Sequence, residues 1–158
     1  ICNGISPIIS FNYGANNKDR INKILKIAIS TIIIIGISST ILMIFGGETL
    51  IKMFSKGDAE LIRITAEATK LYSVAFVFNG LNILTSAYFT ALEDAKTSAI
   101  ISVLRGVILI LIFIIILPII LGDIGIWLTV PASELVTVFI AVNYMKKADL
   151  KIQKMKIA

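Results

Sequence analysis

The sequence predicts an all-α, polytopic transmembrane helical bundle with four full spans and the end of a preceding helix. Two observations carry that reading. Apolar runs at 27–47, 71–92, 97–121 and 124–145 contain only two charged residues, Arg105 and Glu134. Of the 158 residues, 57% are hydrophobic and 16% charged, with a mean hydropathy of +0.93, far more apolar than an ordinary soluble domain. At ~1.5 Å rise per residue each run crosses a hydrocarbon core of ~30 Å, where a helix satisfies its own backbone hydrogen bonds. A soluble bundle needs polar stripes on its helices, yet residues 110–117, Ile-Leu-Ile-Phe-Ile-Ile-Ile-Leu, are apolar all round.

The elements follow in order. The apolar piece at 1–11 is too short to span a bilayer and lacks the basic front of a signal peptide, so it reads as the tail of a truncated helix. Since the first residue is Ile1 rather than Met, the expectation is the C-terminal part of a longer protein. Asn12 to Asn17 supplies turn residues before the first span. In the connection at 48–70, Ser55 or Asp58 is expected to cap a short helix. Leu61, Ile62, Thr65 and Ala68 share one face of that helix, leaving Glu60, Arg63, Glu67 and Lys70 in water. Short charged turns at Glu93 to Lys96 and Gly122-Asp123 separate the remaining spans, and a basic tail ends the chain.

Four spans alternate sides, so the basic residues can be summed. One side holds ten: Lys18, Arg20, Lys23, Lys26, Lys96, Lys146, Lys147, Lys151, Lys154 and Lys156. The other holds four, Lys52, Lys56, Arg63 and Lys70, diluted by Glu48, Asp58, Glu60 and Glu67. The positive-inside rule then puts the C-terminus in the cytoplasm and makes the chain an integral protein, expected in the cytoplasmic (plasma) membrane of a bacterium.

Composition also excludes functions. The net charge of +5 sits at helix ends without interleaved aromatics or a recognisable binding fold, so the partner is the lipid bilayer and not nucleic acid. With no His and only Cys2, the chain cannot build a Cys/His zinc site, a disulfide or a Cys-His nucleophile pair by itself. No Gly-rich phosphate loop, paired intramembrane Asp, or Ser with a nearby base is present, so an enzyme is not expected.

The candidate site residues are the polar exceptions within the runs. In the second span Tyr72, Asn79, Asn82, Ser86 and Phe89 fall within roughly 100° of one another at ~100° per residue, a polar and aromatic stripe. Such a stripe either lines a substrate cavity or packs helix on helix through hydrogen bonds. Arg105 and Glu134 each cost ~2.5–3.5 kcal/mol at the bilayer centre and need partners. Counted from Thr97 and Met145 they lie ~12 and ~16 Å deep, a mismatch that the Arg side chain bridges. They form a structural ion pair, or Glu134 titrates or meets a cationic substrate, or each has a partner elsewhere in the complete protein. Pro131 lacks a backbone donor and is expected to kink the last helix, as a fixed bend or a hinge.

The string Gly4-Ile5-Ser6-Pro7-Ile8-Ile9-Ser10-Phe11-Asn12-Tyr13-Gly14-Ala15-Asn16-Asn17, followed by basic residues, resembles the end of the eighth helix of multidrug and toxic compound extrusion (MATE) transporters. Met53-Phe54-Ser55 with Asp58-Ala59-Glu60, and Ala87-Tyr88-Phe89-Thr90-Ala91-Leu92, are similar to that family's ninth-to-tenth connection and tenth helix. Leu104-Arg105, Leu117-Pro118 and Gly125-Ile126-Trp127-Leu128 with Pro131 and Glu134 resemble its last two helices. The resemblance implies most of the second of two six-helix lobes, which face each other across a cavity and alternate access. Its partners would be the missing N-terminal lobe and a small amphipathic or cationic organic compound. No cofactor is implied beyond the coupling ion, Na+ or H+, of the complete antiporter. The alternatives are a lipid-linked saccharide flippase of the same superfamily or an inactive membrane scaffold. Ser6 stands where many relatives carry Gln, and Glu93 where Gly is common. Asn79 matches an Asp of sodium-coupled relatives; its amide cannot carry a proton, although its oxygen can contact sodium.

Overall fold

This computed structural model describes residues 1–55 and 58–155, with side chains through Asp149, and seven α-helices lie among the described residues. Lys56 and Lys156 of the charge tally lie outside the described residues, as do the side chains of Lys151 and Lys154. α1 (Cys2–Gly14) runs through Pro7 and turns Ile9 and Asn12 inward. Asn16 then takes a left-handed conformation (φ 53°), which its short amide tolerates, and Asn17 caps α2 by accepting from Arg20 N–H at 3.2 Å. α2 (Lys18–Phe54) is longer than the apolar run at its heart, because charged turns extend it at both ends.

The expected second span is two helices. Asp58 accepts from Glu60 and Leu61 N–H, both at 3.1 Å, and starts α3 (Ala59–Ser73). Arg63 bridges Glu60 and Glu67 on its exposed face. A bend of 42° at Val74 separates α3 from α4 (Ala75–Ala91), inside the apolar run at 71–92. The Ser73 carbonyl beside the break accepts from Thr40 Oγ1 of α2 at 2.8 Å, which keeps a backbone acceptor paired inside the bundle.

Asp94 caps α5 (Ala95–Val103), accepting from Thr97 N–H at 3.1 Å and from its hydroxyl at 2.8 Å. A π-turn over Leu104–Ile108 joins α5 to α6 (Leu109–Leu121), and the three form one membrane-length rod. Gly122 (φ 61°) reverses the chain into α7 (Asp123–Met155), which is unbroken through the buried Pro131. Among the described residues three rods, Lys18–Phe54, Ala95–Leu121 and Asp123–Asp149, are long and apolar enough to cross a membrane, and the bent α3–α4 pair is long and apolar enough when its two helices are taken together.

α4 lies at the centre, packed on α1, α2, α5 and α7. One core cluster joins Ile9, Ile21, Tyr88, Phe89, Ile101 and Ala141 from five helices. The outer surface is apolar, with Phe45 83% and Ile119 80% exposed, as a lipid-facing surface requires. α2 and α4 approach closely at two glycines: a Cβ on Gly36 would sit 2.9 Å from Val77 Cα, and one on Gly80 would sit 2.6 Å from Ile32 Cγ2.

Gly36→Leu is expected to destabilise the bundle by about 1–3 kcal/mol through overpacking, read as a lower melting temperature in detergent. Gly46→Leu, on the same helix but with nothing within 4 Å of the added Cβ, should change that temperature far less. Glu93 has φ 63°, a left-handed turn position where Gly is unstrained; Glu93→Gly should therefore raise stability by about 1 kcal/mol in the same measurement.

Candidate functional site

Glu134 sits in the middle of α7 and is 5% exposed. An ionised carboxylate at this depth needs donors, and it has one for each oxygen. Arg105 Nη1 donates to Oε1 at 3.0 Å, and Asn82 Nδ2 donates to Oε2 at 2.7 Å. Asn82, fully buried, also donates from Nδ2 to the Glu134 backbone carbonyl at 2.8 Å, so one amide holds both the side chain and the main chain of its partner. Asn79, one turn earlier on α4, accepts from Arg105 Nη1 at 3.4 Å. Guanidinium, carboxylate and two amides thus form one network across α4, α7 and the π-turn.

The π-turn bears on the position of Arg105. Leu109 N–H reaches back five residues to Leu104 O, widening the helix by one residue. Arg105 points at α4 and α7 from within that widened turn, while its neighbours Gly106, Val107 and Ile108 remain exposed. Nη1 serves both acceptors; Nε and Nη2 have no partner among the described residues.

A second polar cluster lies along α4 and α5. Ser86 Oγ is 2.8 Å from Ser98 Oγ and 2.9 Å from Ser102 Oγ, and Thr90 Oγ1 donates to Ser98 Oγ at 2.9 Å. Of these hydroxyls only Ser86 was expected from the stripe. The signal for the others is present in the sequence: Ser86/Thr90 and Ser98/Ser102 are i, i+4 pairs on helices joined by the tight turn at 92–94. Between this cluster and the first turns of α1 is a groove of about 380 Å³, lined by Asn3, Ser6, Ser86, Thr90, Ser102 and Arg105 among others.

The stripe expected on one face is divided. Tyr72 precedes the bend at Val74, is 41% exposed and packs edge-on to Phe76 at 6.3 Å, away from the network. Phe89 is 2% exposed and packs edge-on to Tyr88 and Tyr144 in the core of this chain. A count at 100° per residue assumes a straight helix; the 42° break invalidates it for Tyr72. Pro131 is buried three residues before Glu134 inside α7, which continues through it. Among the described residues no three His, Cys, Asp or Glu side chains converge on a metal position. Asn82 Oδ1 is buried without a hydrogen-bond partner.

Membrane-length helices around a hydrogen-bonded polar centre define a polytopic helical membrane protein. The MatE family model matches residues 1–116, and the chain belongs to that family, whose members are transporters rather than enzymes. Over 110 residues it is 27% identical to the multidrug export protein MepA of Staphylococcus saprophyticus, covering 70% of this chain and 24% of that protein. MepA of Staphylococcus aureus (strain MSSA476) is 25% identical over the same length and the same shares. The fold matches an inward-facing structure of a multidrug resistance MATE family transporter of the MOP superfamily, with TM-score 0.89 at 16% identity, over 97% of this chain and 36% of that one. It matches an outward-facing structure of such a transporter with TM-score 0.86 at 17% identity, over 97% and 35%.

Replacing one member of the buried pair is expected to cost about 3–5 kcal/mol, because the other charge is left unpaired. Arg105→Met and Glu134→Leu should each lower the folded yield of the full-length protein in membranes, and the double change should recover most of it. Additive losses would show that the two groups do not act as a pair.

Proposed function

We propose that this chain is part of the second lobe of an ion-coupled exporter of amphipathic or cationic organic compounds, working with an N-terminal lobe of the same protein. The observation that carries the reading is the buried network of Arg105, Glu134, Asn82 and Asn79 in a fold shared with inward- and outward-facing transporter structures. Similar agreement with both states suits a lobe that rocks largely as a rigid body while access alternates around it. The charge asymmetry at the ends of the apolar helices supports a cytoplasmic C-terminus. Asn79 carries no titratable proton, so proton coupling does not pass through this position; its oxygen and that of Asn82 can contact a sodium ion without adding charge.

A second reading draws on Arg105. Its unpaired donors and the adjoining groove suit a phosphate-bearing lipid, as in a lipid-linked saccharide flippase. One guanidinium is a small complement for a pyrophosphate, which favours the exporter.

Vesicles containing the full-length protein should expel a cationic dye when a Na+ or H+ gradient is imposed, and Asn79→Ala should slow that export severalfold without lowering protein yield. Gradient-independent dye retention together with movement of a labelled lipid-linked saccharide would establish the flippase instead. Unchanged export by the Asn79→Ala protein would remove this residue from the site.

A further inference from the structure

We propose that the groove between α1, α4 and α5 takes an oxyanion group of the transported compound, a carboxylate or phosphate held by the free donors of Arg105. The inference rests on the exporter reading and narrows it to substrates that carry an acidic as well as an apolar or cationic part.

Arg105 stands between Glu134 and the groove. Its Nη1 is committed to Glu134 Oε1 and Asn79 Oδ1, yet the side chain keeps 23% of its surface open and lines the groove. Glu134, 5% exposed and with a donor on each oxygen, is not among the lining residues. The polar groups that the described residues of this chain present there are a guanidinium, the Asn3 amide and the hydroxyls of Ser6, Ser86, Thr90 and Ser102, with no carboxylate among them. The guanidinium charge favours an oxyanion and disfavours an ammonium group, the amide and hydroxyls can donate to the same oxyanion, and the planar guanidinium fork suits a two-oxygen acceptor. Glu134 serves this arrangement by fixing the guanidinium from behind, with Asn82 fixing Glu134 in turn. At about 380 Å³ the groove admits a carboxylate with its attached ring, leaving any cationic portion to the rest of the cavity.

The test uses a xanthene dye with a free carboxylate and its methyl ester, each titrated by fluorescence anisotropy onto the full-length transporter in phosphatidylcholine nanodiscs. The wild type should bind the carboxylate about tenfold more tightly, the weight of one or two charge-assisted hydrogen bonds. The double change Arg105→Gln with Glu134→Gln removes the charges together and should abolish that preference, so that acid and ester bind alike. Ala87→Leu narrows the groove without touching the ion pair and should weaken carboxylate binding at least tenfold, which keeps the test decisive if the double variant does not fold. Equal affinities for acid and ester in the wild type, or a preference that survives either variant, would overturn the proposal. Adding phosphatidylglycerol to the nanodiscs separates the two sources. Competition that vanishes with Ala87→Leu assigns the groove to a lipid phosphate, and its absence assigns it to the soluble compound. Export from vesicles is scored separately: export of the ester without acid preference defeats only this inference, and failure to export either dye defeats the exporter reading.

Discussion

A carboxylate inside a membrane-spanning bundle has to be matched by donors, and the interior of this protein is arranged around that requirement. Glu134 is reached by Arg105 from one side and by Asn82 from the other. Each element near it contributes to meeting the requirement. α4 is central and presents two amides on adjacent turns; the rod that carries Arg105 widens into a π-turn at that residue; α7 continues past Pro131 so that Glu134 faces α4. Either ion alone costs ~2.5–3.5 kcal/mol to insert, so their mutual contact turns two penalties into one neutral unit.

The same accounting separates structural polar groups from candidate functional ones. Thr31, Thr129 and Thr137 donate to the carbonyl four residues back on their own helix, which satisfies each hydroxyl locally, whereas Thr40 and Thr85 also reach the Ser73 carbonyl and Met145 Sδ of other helices. The hydroxyls of Ser86, Ser98, Ser102 and Thr90, and the amides of Asn79 and Asn82, bond between helices. A polar residue in an apolar span therefore marks a site only when its bond crosses to another element. Of the second-span residues singled out, Asn79, Asn82 and Ser86 make such bonds, whereas Tyr72 and Phe89 make ring contacts.

Hydropathy made the all-helical membrane fold legible because lipid leaves few other solutions for long apolar runs. It was blind to the extent of α2 and α3, whose charged ends extend beyond the apolar runs, and to the break at Val74, which has no Pro or Gly at it to signal a bend. The π-turn was equally hidden, since an extra residue in one turn alters no pattern of polarity. Depth counting from the helix ends put Arg105 and Glu134 within reach of each other, and they stand 3.0 Å apart. Which amide completes the network depends on helix rotation, and that becomes readable only once α4 is seen to begin at Ala75.

Charge balance then constrains what the polar centre can accept. Arg105 and Glu134 sum to zero, and Asn79 and Asn82 add oxygen and nitrogen without charge, so the network is electrically closed before any ligand arrives. An ion or substrate that enters must bring its own compensation or draw on one half of the pair. The two halves are not equally available: the carboxylate is enclosed with both oxygens engaged, whereas the guanidinium has free donors and an open side. A cation would have to displace Arg105 to reach Glu134 and would leave a guanidinium unpaired in the bundle. An anion can add to Arg105 while Glu134 stays where it is. The asymmetry of exposure across a single salt bridge, more than the presence of the two charges, sets which sign of ligand the open side of the pair favours.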